Sequence, residues 1–340
     1  MFLIHPSDLP RRRGRCRPVV KSLLGAEREI VSTCNICGSR QSVILARRDR
    51  YGFPVRTALC RNCGLIYLVD RFTSANYADF YRSGVYRSLT SLYNGSRSTA
   101  EQLEEVSATY ANQLIAAMEG YVQRSNGARL LDVGGGTGAV AQGIAEHFGL
   151  AASVLDPAAA DVAAARRLGL EAFEGSLEDW DSEAKFDLVL LCKTIEHLFD
   201  LKRALLKIRE LLKPDGLFYC DIVDFTEACR HEGPPEVTAK IDHCYWLCQE
   251  TAPAIFRSTG FEVVSINTIS GPNYVGFLLR PCEPIGPPAA PGPWIDGHVR
   301  RLREMEAEWY DSASRPYGAV DWLRRKAYRV KRTILLLAGK

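Results

Sequence analysis

The sequence predicts an α/β fold built on a mainly parallel sheet. Three observations carry that expectation. Between residues 128 and 280, short apolar runs alternate with helical patterns. The first of these runs ends in a glycine-rich loop that leads into a helix. The composition, 46% hydrophobic and 24% charged over 340 residues, is that of a globular chain and excludes a collagenous or wholly disordered one. No apolar run approaches the roughly 18–20 residues of a membrane span. Met1–Pro10 lacks the basic start and small-residue cleavage site of a signal peptide. The expected compartment is therefore the cytoplasm, where disulfides are rare, so the 11 cysteines call for another explanation.

The elements follow in order. Residues 1–30 carry seven basic against three acidic side chains, including Arg11, Arg12, Arg13, Arg15 and Arg17, and are expected to form a solvated, weakly ordered leader. Residues 31–70 read as short strands, at Gln41–Ala46, Arg56–Leu59 and Leu65–Val69, between two cysteine pairs. Residues 71–127 form an aromatic and helical connector, a candidate substrate cap. Ser98–Glu101 fits a capping box there, and Leu103, Val106, Tyr110, Leu114 and Met118 recur at helical spacing. The α/β domain spans 128–280. Strands are expected at Arg129–Val133, Ser153–Leu155, Phe186–Leu191, Leu217–Ile222, Phe261–Ile266 and Tyr274–Leu279. Helices are expected at Ala139–His147, Ala158–Leu168, Leu201–Leu212 and Thr251–Thr259. Six prolines among residues 281–293 make a stiff linker, and basic helices follow over 294–340. The net charge of +3 hides an acidic middle between two basic ends.

The glycine loop reads Leu130-Leu131-Asp132-Val133-Gly134-Gly135-Gly136-Thr137-Gly138. Glycines at 134, 136 and 138 permit a tight turn and a close approach to a ligand, and the helix that follows offers unpaired N–H groups. The spacing is not that of the dinucleotide fingerprint, and no Lys-Ser/Thr follows as a triphosphatase loop requires. Asp132 is placed for a positively charged or amine-bearing ligand. Asp156, 24 residues on at the end of the second strand, is placed to accept ribose hydroxyls.

The pairs Cys34-Asn35-Ile36-Cys37 and Cys60-Arg61-Asn62-Cys63, each followed by glycine, have the spacing of a tetrahedral four-thiolate zinc site. A redox pair or disulfides are the alternatives, but no thioredoxin-like unit surrounds either pair. Four protein ligands leave no open position, so the zinc is expected to be structural, one per chain, stapling a segment too small to build much core. The remaining cysteines lack ligand spacing; Cys244 and Cys248 would at best share a helical face.

Taken together, Leu-Asp-Val-Gly-Gly-Gly-Thr-Gly, Leu155-Asp156-Pro157, Gly175-Ser176-Leu177-Glu178-Asp179, Phe186-Asp187-Leu188-Val189, Glu196-His197-Leu198 and Leu212-Lys213-Pro214-Asp215-Gly216 resemble, in order and spacing, a class I S-adenosylmethionine-dependent methyltransferase. The resemblance covers about 150 residues and implies a Rossmann-like sheet of seven strands. It implies that Gly134, Gly136 and Gly138 cradle the methionine part of S-adenosylmethionine and that Asp132 holds its amino group. Asp156 would bind the ribose, Ser176 and Leu177 would flank the adenine, and Cys192 and Lys193 would lie near the methyl group. With the zinc ribbon in front, the chain is similar to sugar C-methyltransferases and related enzymes of polysaccharide and antibiotic pathways. In those enzymes a Tyr-x-Glu-His pattern follows the fifth strand; here the stretch reads Lys240-Ile241-Asp242-His243, which keeps the histidine, shortens the acid and lacks the tyrosine.

A hydroxyl or enolisable carbon acceptor needs a base. His243, beside Asp242, and His197, after the fourth strand, are the candidates; His197 could equally cap a helix or wall the pocket. The expected acceptor is a small hydroxylated molecule, a nucleotide- or lipid-linked sugar or a related metabolite, methylated on oxygen or carbon. An RNA methyltransferase gripping phosphates through its ribbon and basic ends is the alternative, and a non-catalytic S-adenosylmethionine-binding protein is a third reading. The segment Asp321–Lys340 mixes basic and apolar residues at helical spacing, as a helix lying on anionic lipid does, or one docked on the core or on a second subunit.

Overall fold

The computed structural model describes residues 3–95, 100–290 and 292–314. The expected cap residues Ser98 and Thr99 and the basic segment Asp321–Lys340 lie outside them. In chain order the elements begin with α1 (Leu9–Leu23), β1 (Arg28–Ile30), β2 (Ser42–Ala46), β3 (Thr57–Cys60), β4 (Ile66–Leu68), β5 (Asp70–Phe72), α2 (Ser74–Arg82) and α3 (Val85–Asn94). They continue with α4 (Ala100–Met118), β6 (Arg129–Val133), α5 (Ala139–Phe148), β7 (Ala151–Asp156), α6 (Ala159–Arg167), β8 (Glu171–Glu174), β9 (Phe186–Leu191), α7 (Leu201–Leu211) and β10 (Leu212–Val223). The last are α8 (Phe225–Glu232), α9 (Pro235–Thr238), β11 (Tyr245–Trp246), α10 (Ala252–Ser258), β12 (Phe261–Thr268), β13 (Tyr274–Pro281) and α11 (Trp294–Asp311).

The chain divides into two compact units. The first takes in the described residues of 1–97, 223–251 and 289–334, the second those of 98–222 and 252–288. This departs from the linear division read from the sequence, because residues 223–251 join the N-terminal unit.

The second unit holds a seven-stranded sheet in the order β12-β13-β10-β9-β6-β7-β8. Strands β6 to β10 pair in parallel, and β12 and β13 form an antiparallel hairpin. Helices cover both faces, so β9 is apolar almost throughout, as a strand without a wet face must be. The core gathers Leu130, Ile144, Val154, Leu188, Leu190 and Leu278, with Leu114 and Met118 of α4 packed into it. β6 pairs with both β7 and β9, so the strand order reverses at β6. A ligand crevice opens at the carboxyl ends of strands at such a point. β8, Glu-Ala-Phe-Glu at the sheet edge, carries too little apolar pattern to be read from sequence. Pro214-Asp215-Gly216 falls inside β10, ahead of the strand expected at Leu217–Ile222, where the register to β9 slips between Leu212 and Leu217.

The first unit holds a four-stranded antiparallel sheet in the order β11-β4-β3-β2, and β1 pairs with β5. The ribbon read from residues 31–70 is therefore completed by β11, with Tyr245 opposite Tyr67 and Trp246 opposite Ile66. Cys244 and Cys248 flank this strand, both buried, and do not share a helix.

The expectation of a solvated leader is overturned. Residues 9–23 form α1, whose Cys16 is fully buried with its thiol directed at the Leu89 carbonyl, 3.8 Å away. Its arginines find backbone acceptors. Arg15 donates to the carbonyls of Leu92 and Tyr93 in the last turn of α3, and Arg13 to that of Asp49. A helix ends with unpaired carbonyls, and guanidinium groups satisfy them. Arg12 and Arg15 of the basic run thus cap α3, while Arg11 and Arg17 stay exposed.

Candidate functional site

The site in the second unit grows from the end of β6. Asp132 is the fourth residue of that strand and is 1% exposed. Gly134, Gly136 and Gly138 follow with φ of +70°, +56° and +81°, and Gly138 opens α5. A Cβ at Gly135 would stand 2.7 Å from the Asp132 carboxylate, so the loop wraps directly over that acid. A Cβ at Gly138 would meet Leu170 Cδ1 at 2.6 Å and Ala165 Cβ at 3.1 Å, in a backbone whose φ of +81° itself favours glycine.

Asp156, at the end of β7, closes the loop from the other side. Its carboxylate accepts from the Gly136 N–H at 2.9 Å and the Ala158 N–H at 2.8 Å. A carboxylate offers about four acceptor positions, so these two bonds are compatible with further hydroxyl donors. Beyond β8, the Ser176 hydroxyl donates to Asp179 at 2.9 Å and Leu177 is buried.

Asp132 Oδ1 is buried with no hydrogen-bond partner. Burial first, then the charges of Asp156 and Asp221, push the Asp132 carboxyl up to about 8. Burial likewise raises Asp221, against the pull of its hydrogen bonds from Tyr110 and the Lys193 amide. The Cys192 thiol is pushed well up by burial and by Asp132 and Asp221. A raised, buried carboxyl with an orphaned oxygen, as at Asp132, is one that a positively charged ligand would stabilise in its ionised form.

The structure brings Asp132, Gly134, Gly136, Gly138, Asp156, Cys192 and Lys193 into the second unit, with Ser176, Leu177 and His197 on the same unit. His197 ends a short 3₁₀ turn, Ile195–His197, and its N–H bonds the Thr194 carbonyl at 2.9 Å. Asp242 and His243 belong to the first unit. Sequence reasoning missed Asp221 and Tyr110. The available signal was a lone acid inside the apolar run Leu217–Val223, where a buried charge demands partners.

In the first unit, the segment Ile241–His243 is held from three sides. Tyr77 donates to the Ile241 carbonyl at 2.8 Å, Tyr81 to the Asp242 carbonyl at 2.9 Å, and the Ile241 N–H bonds Asp49 Oδ2 at 2.9 Å. Burial pushes the Asp49 carboxyl up to about 7. His243 is 5% exposed. Its Nε2 lies 3.2 Å from Lys240 Nζ and 3.9 Å from Asp242 Oδ2, and its ring packs on Trp246 at 5.5 Å. At 3.9 Å, His243 Nε2 and Asp242 Oδ2 are farther apart than a hydrogen bond. Tyr81 and Tyr86 pack edge to face at 5.2 Å, so the aromatic stretch builds the wall that carries this segment.

The four cysteine thiols of the ribbon meet. Sγ of Cys34 and Cys63 lie 3.5 Å apart, as do those of Cys37 and Cys60, and all four sulfurs fall within 4.8 Å of one another. Gly38 and Gly64 take φ of +72° and +78°, and the amide of each bonds back to the first cysteine of its pair. Two such turns facing each other bring the four sulfurs into an arrangement that could hold one tetrahedral ion.

A methyltransferase-domain family model matches residues 102–266. Among curated proteins, the chain is 31% identical over 97 residues to a ubiquinone biosynthesis O-methyltransferase of Nitrobacter winogradskyi, covering 27% of this chain and 37% of that protein. It is 30% identical over 148 residues to a protein of the same name from Chelativorans sp., covering 39% and 56%. The chain thus spans less than two thirds of the length of these relatives. Among solved structures, it aligns with a 1,6-didemethyltoxoflavin-N1-methyltransferase of Burkholderia thailandensis at 20% identity and TM-score 0.45, over 67% of this chain and 96% of that one. It also aligns with a magnesium protoporphyrin IX methyltransferase of Synechocystis PCC 6803 at 13% identity and TM-score 0.46, over 61% and 98%.

Proposed function

We propose that this chain, whose residues 102–266 match a methyltransferase-domain family model, is a class I, S-adenosylmethionine-dependent enzyme that transfers a methyl group to an oxygen or carbon of a small hydroxylated acceptor. The preferred acceptor class is a nucleotide- or lipid-linked sugar or a related metabolite. The curated relatives' name, an O-methyltransferase of ubiquinone biosynthesis, supports oxygen as the atom methylated.

The observation that carries the reading is the orphaned, buried Asp132 oxygen under a glycine loop that only a missing Cβ lets close. An acid in that position fits the ammonium of S-adenosylmethionine, and Asp156 fits its ribose. Gly134, Gly136 and Gly138 line the methionine part, and Ser176 and Leu177 the adenine. When bound, the cofactor supplies a methyl group activated by its sulfonium. The protein's part is to hold the acceptor in line, exclude water and take up the acceptor's proton. His243, in its fixed segment beside Asp242, is the proposed base, with His197 as the second candidate. His243→Ala is expected to lower turnover by ~10²–10⁴-fold with binding of S-adenosylhomocysteine unchanged; unchanged turnover removes His243 from the role. The ribbon cysteines Cys34, Cys37, Cys60 and Cys63 are proposed to hold one structural zinc ion.

Incubation of the pure protein with methyl-labelled S-adenosylmethionine and a host extract, fractionated with and without RNase, tests the reading. Label in a small RNase-resistant fraction supports it. RNase-sensitive label overturns it in favour of RNA, and absence of any S-adenosylhomocysteine binding overturns the cofactor assignment. Among the described residues, no helix is long and apolar enough to cross a membrane. Contact with a lipid surface through residues 321–340 remains a proposal, tested by vesicle pelleting of the full chain against a 1–320 variant.

A further inference from the structure

Two non-glycine residues among those described have left-handed backbone, Lys193 (φ +51°) and Ser270 (φ +56°). An L-residue in that region is disfavoured, so the surrounding structure must hold it there. In both cases a side chain grips the backbone N–H. Ser270 donates its N–H and its hydroxyl to Gln113 of α4, at 3.2 and 3.1 Å. Lys193 donates its N–H to Asp221 Oδ1 at 2.5 Å. The other oxygen of Asp221 accepts from the hydroxyl of Tyr110, also on α4, at 2.6 Å.

Asp221 is fully buried in β10, inside an apolar run. Burying a carboxylate is costly unless it is well hydrogen-bonded, and nothing in the packing of a parallel strand calls for an acid there. Its two oxygens instead join two elements far apart in the chain, α4 and the end of β9. The Lys193 side chain closes the arrangement, with its ammonium 3.9 Å from the Tyr110 ring centroid and 5.5 Å from that of Tyr274. The position of this turn matters to the glycine loop. A Cβ at Gly134 would lie 2.5 Å from the Thr194 methyl and hydroxyl, so Thr194 seats directly on the loop. Thr194 is itself tied to the Cys192 carbonyl at 2.9 Å, which makes residues 192–194 one piece.

We infer that Asp221 is a positioning residue for the cofactor site: it locks Lys193 into the turn that seats Thr194 on the glycine loop, and it anchors that turn to α4 through Tyr110. The geometry of this latch is independent of the reaction; its consequence for binding rests on the S-adenosylmethionine reading.

Hydrogen exchange resolved by peptide and calorimetric titration with S-adenosylhomocysteine test the latch on the full chain. In Asp221→Ala, exchange in the peptide containing Lys193 is expected to rise about tenfold or more while β6 and β7 stay protected. Affinity is expected to fall about tenfold or more. Asp221→Asn keeps an oxygen that can accept the Lys193 N–H, so it should stay within about threefold of the wild type in affinity. Adding Lys193→Gly to Asp221→Ala relieves the backbone conformation and should recover several-fold of the lost affinity; general loosening of the fold would not be rescued this way. Tyr110→Phe, which keeps the ring, should raise exchange in α4. Wild-type exchange at Lys193 in Asp221→Ala, or failure of glycine to restore affinity, overturns the latch. A wild type that does not bind S-adenosylhomocysteine overturns the methyltransferase reading, and the latch is then judged on exchange alone.

Discussion

Asp132→Asn separates charge from shape at the point where the cofactor reading is most exposed. In the ligand-free protein the Asp132 carboxyl sits at about 8, raised by burial and by Asp156 and Asp221. At pH 7 it is therefore about nine-tenths protonated. Binding an ammonium requires the carboxylate, so binding at pH 7 should release about 0.9 proton, falling to about 0.5 at pH 8. Affinity for S-adenosylhomocysteine should then weaken about tenfold per pH unit below 8. A charge-assisted hydrogen bond contributes ~1.5–3 kcal/mol, so Asn at 132 should bind roughly 10–150-fold more weakly than the wild type at pH 9. At pH 6 the wild type has given back two pH units, ~2.7 kcal/mol, and the two proteins should bind alike. The ligand's own amine titration cancels in the ratio. Calorimetry in buffers of different ionisation enthalpy reads the proton release directly. The same shift makes the wild type lose stability as pH rises through 4 to 8, the interval between the unfolded and folded values, and Asn abolishes that slope. A wild-type affinity flat between pH 6 and 9, or an Asn variant equal to the wild type at pH 9, refutes the reasoning.

Other consequences are open to direct measurement. Metal analysis of purified protein should find one zinc per chain, lost in Cys37→Ser; zinc-free wild-type protein rules the site out. Gly138→Ala places a Cβ 2.6 Å from Leu170 in a backbone of φ +81°. The left-handed penalty and the overpacking together should destabilise the fold by roughly 2–5 kcal/mol in denaturant unfolding, and an effect below ~1 kcal/mol contradicts the packing described. His298 is buried, stacked on Trp294 at 4.3 Å, and burial followed by Arg301 pushes it down to about 4. A depressed histidine binds its proton in the unfolded chain first, so stability should fall as pH drops from 6.5 towards 4, by up to ~3 kcal/mol. His298→Gln should flatten that slope; an unchanged slope assigns it to other groups.

Features set by neighbours in the chain were legible in the sequence. The glycine loop, Asp132 before it and Asp156 after the next strand each depend on a local strand–turn–helix pattern. The two cysteine turns each close within four residues. Most strands and helices of the second unit fall within a few residues of expectation, because burial on both faces writes itself into the sequence as apolar runs. The edge strand β8 escaped because half of its residues face water.

What only the tertiary structure decided is carried by partners remote in sequence. The arginines of residues 11–17 have the composition of a solvated tail, yet Arg12 and Arg15 cap a helix because the carbonyls of Leu92 and Tyr93 lie within reach. The ribbon sheet is completed by Tyr245 and Trp246, almost 180 residues past the strand they pair with. Asp221 reads as an oddity in an apolar strand until Tyr110 and the Lys193 amide stand at its two oxygens. Local pattern determines which elements form and which loop can cradle a ligand. A buried charge takes its meaning from the groups that satisfy it, and those are chosen by the folded chain rather than by spacing along it.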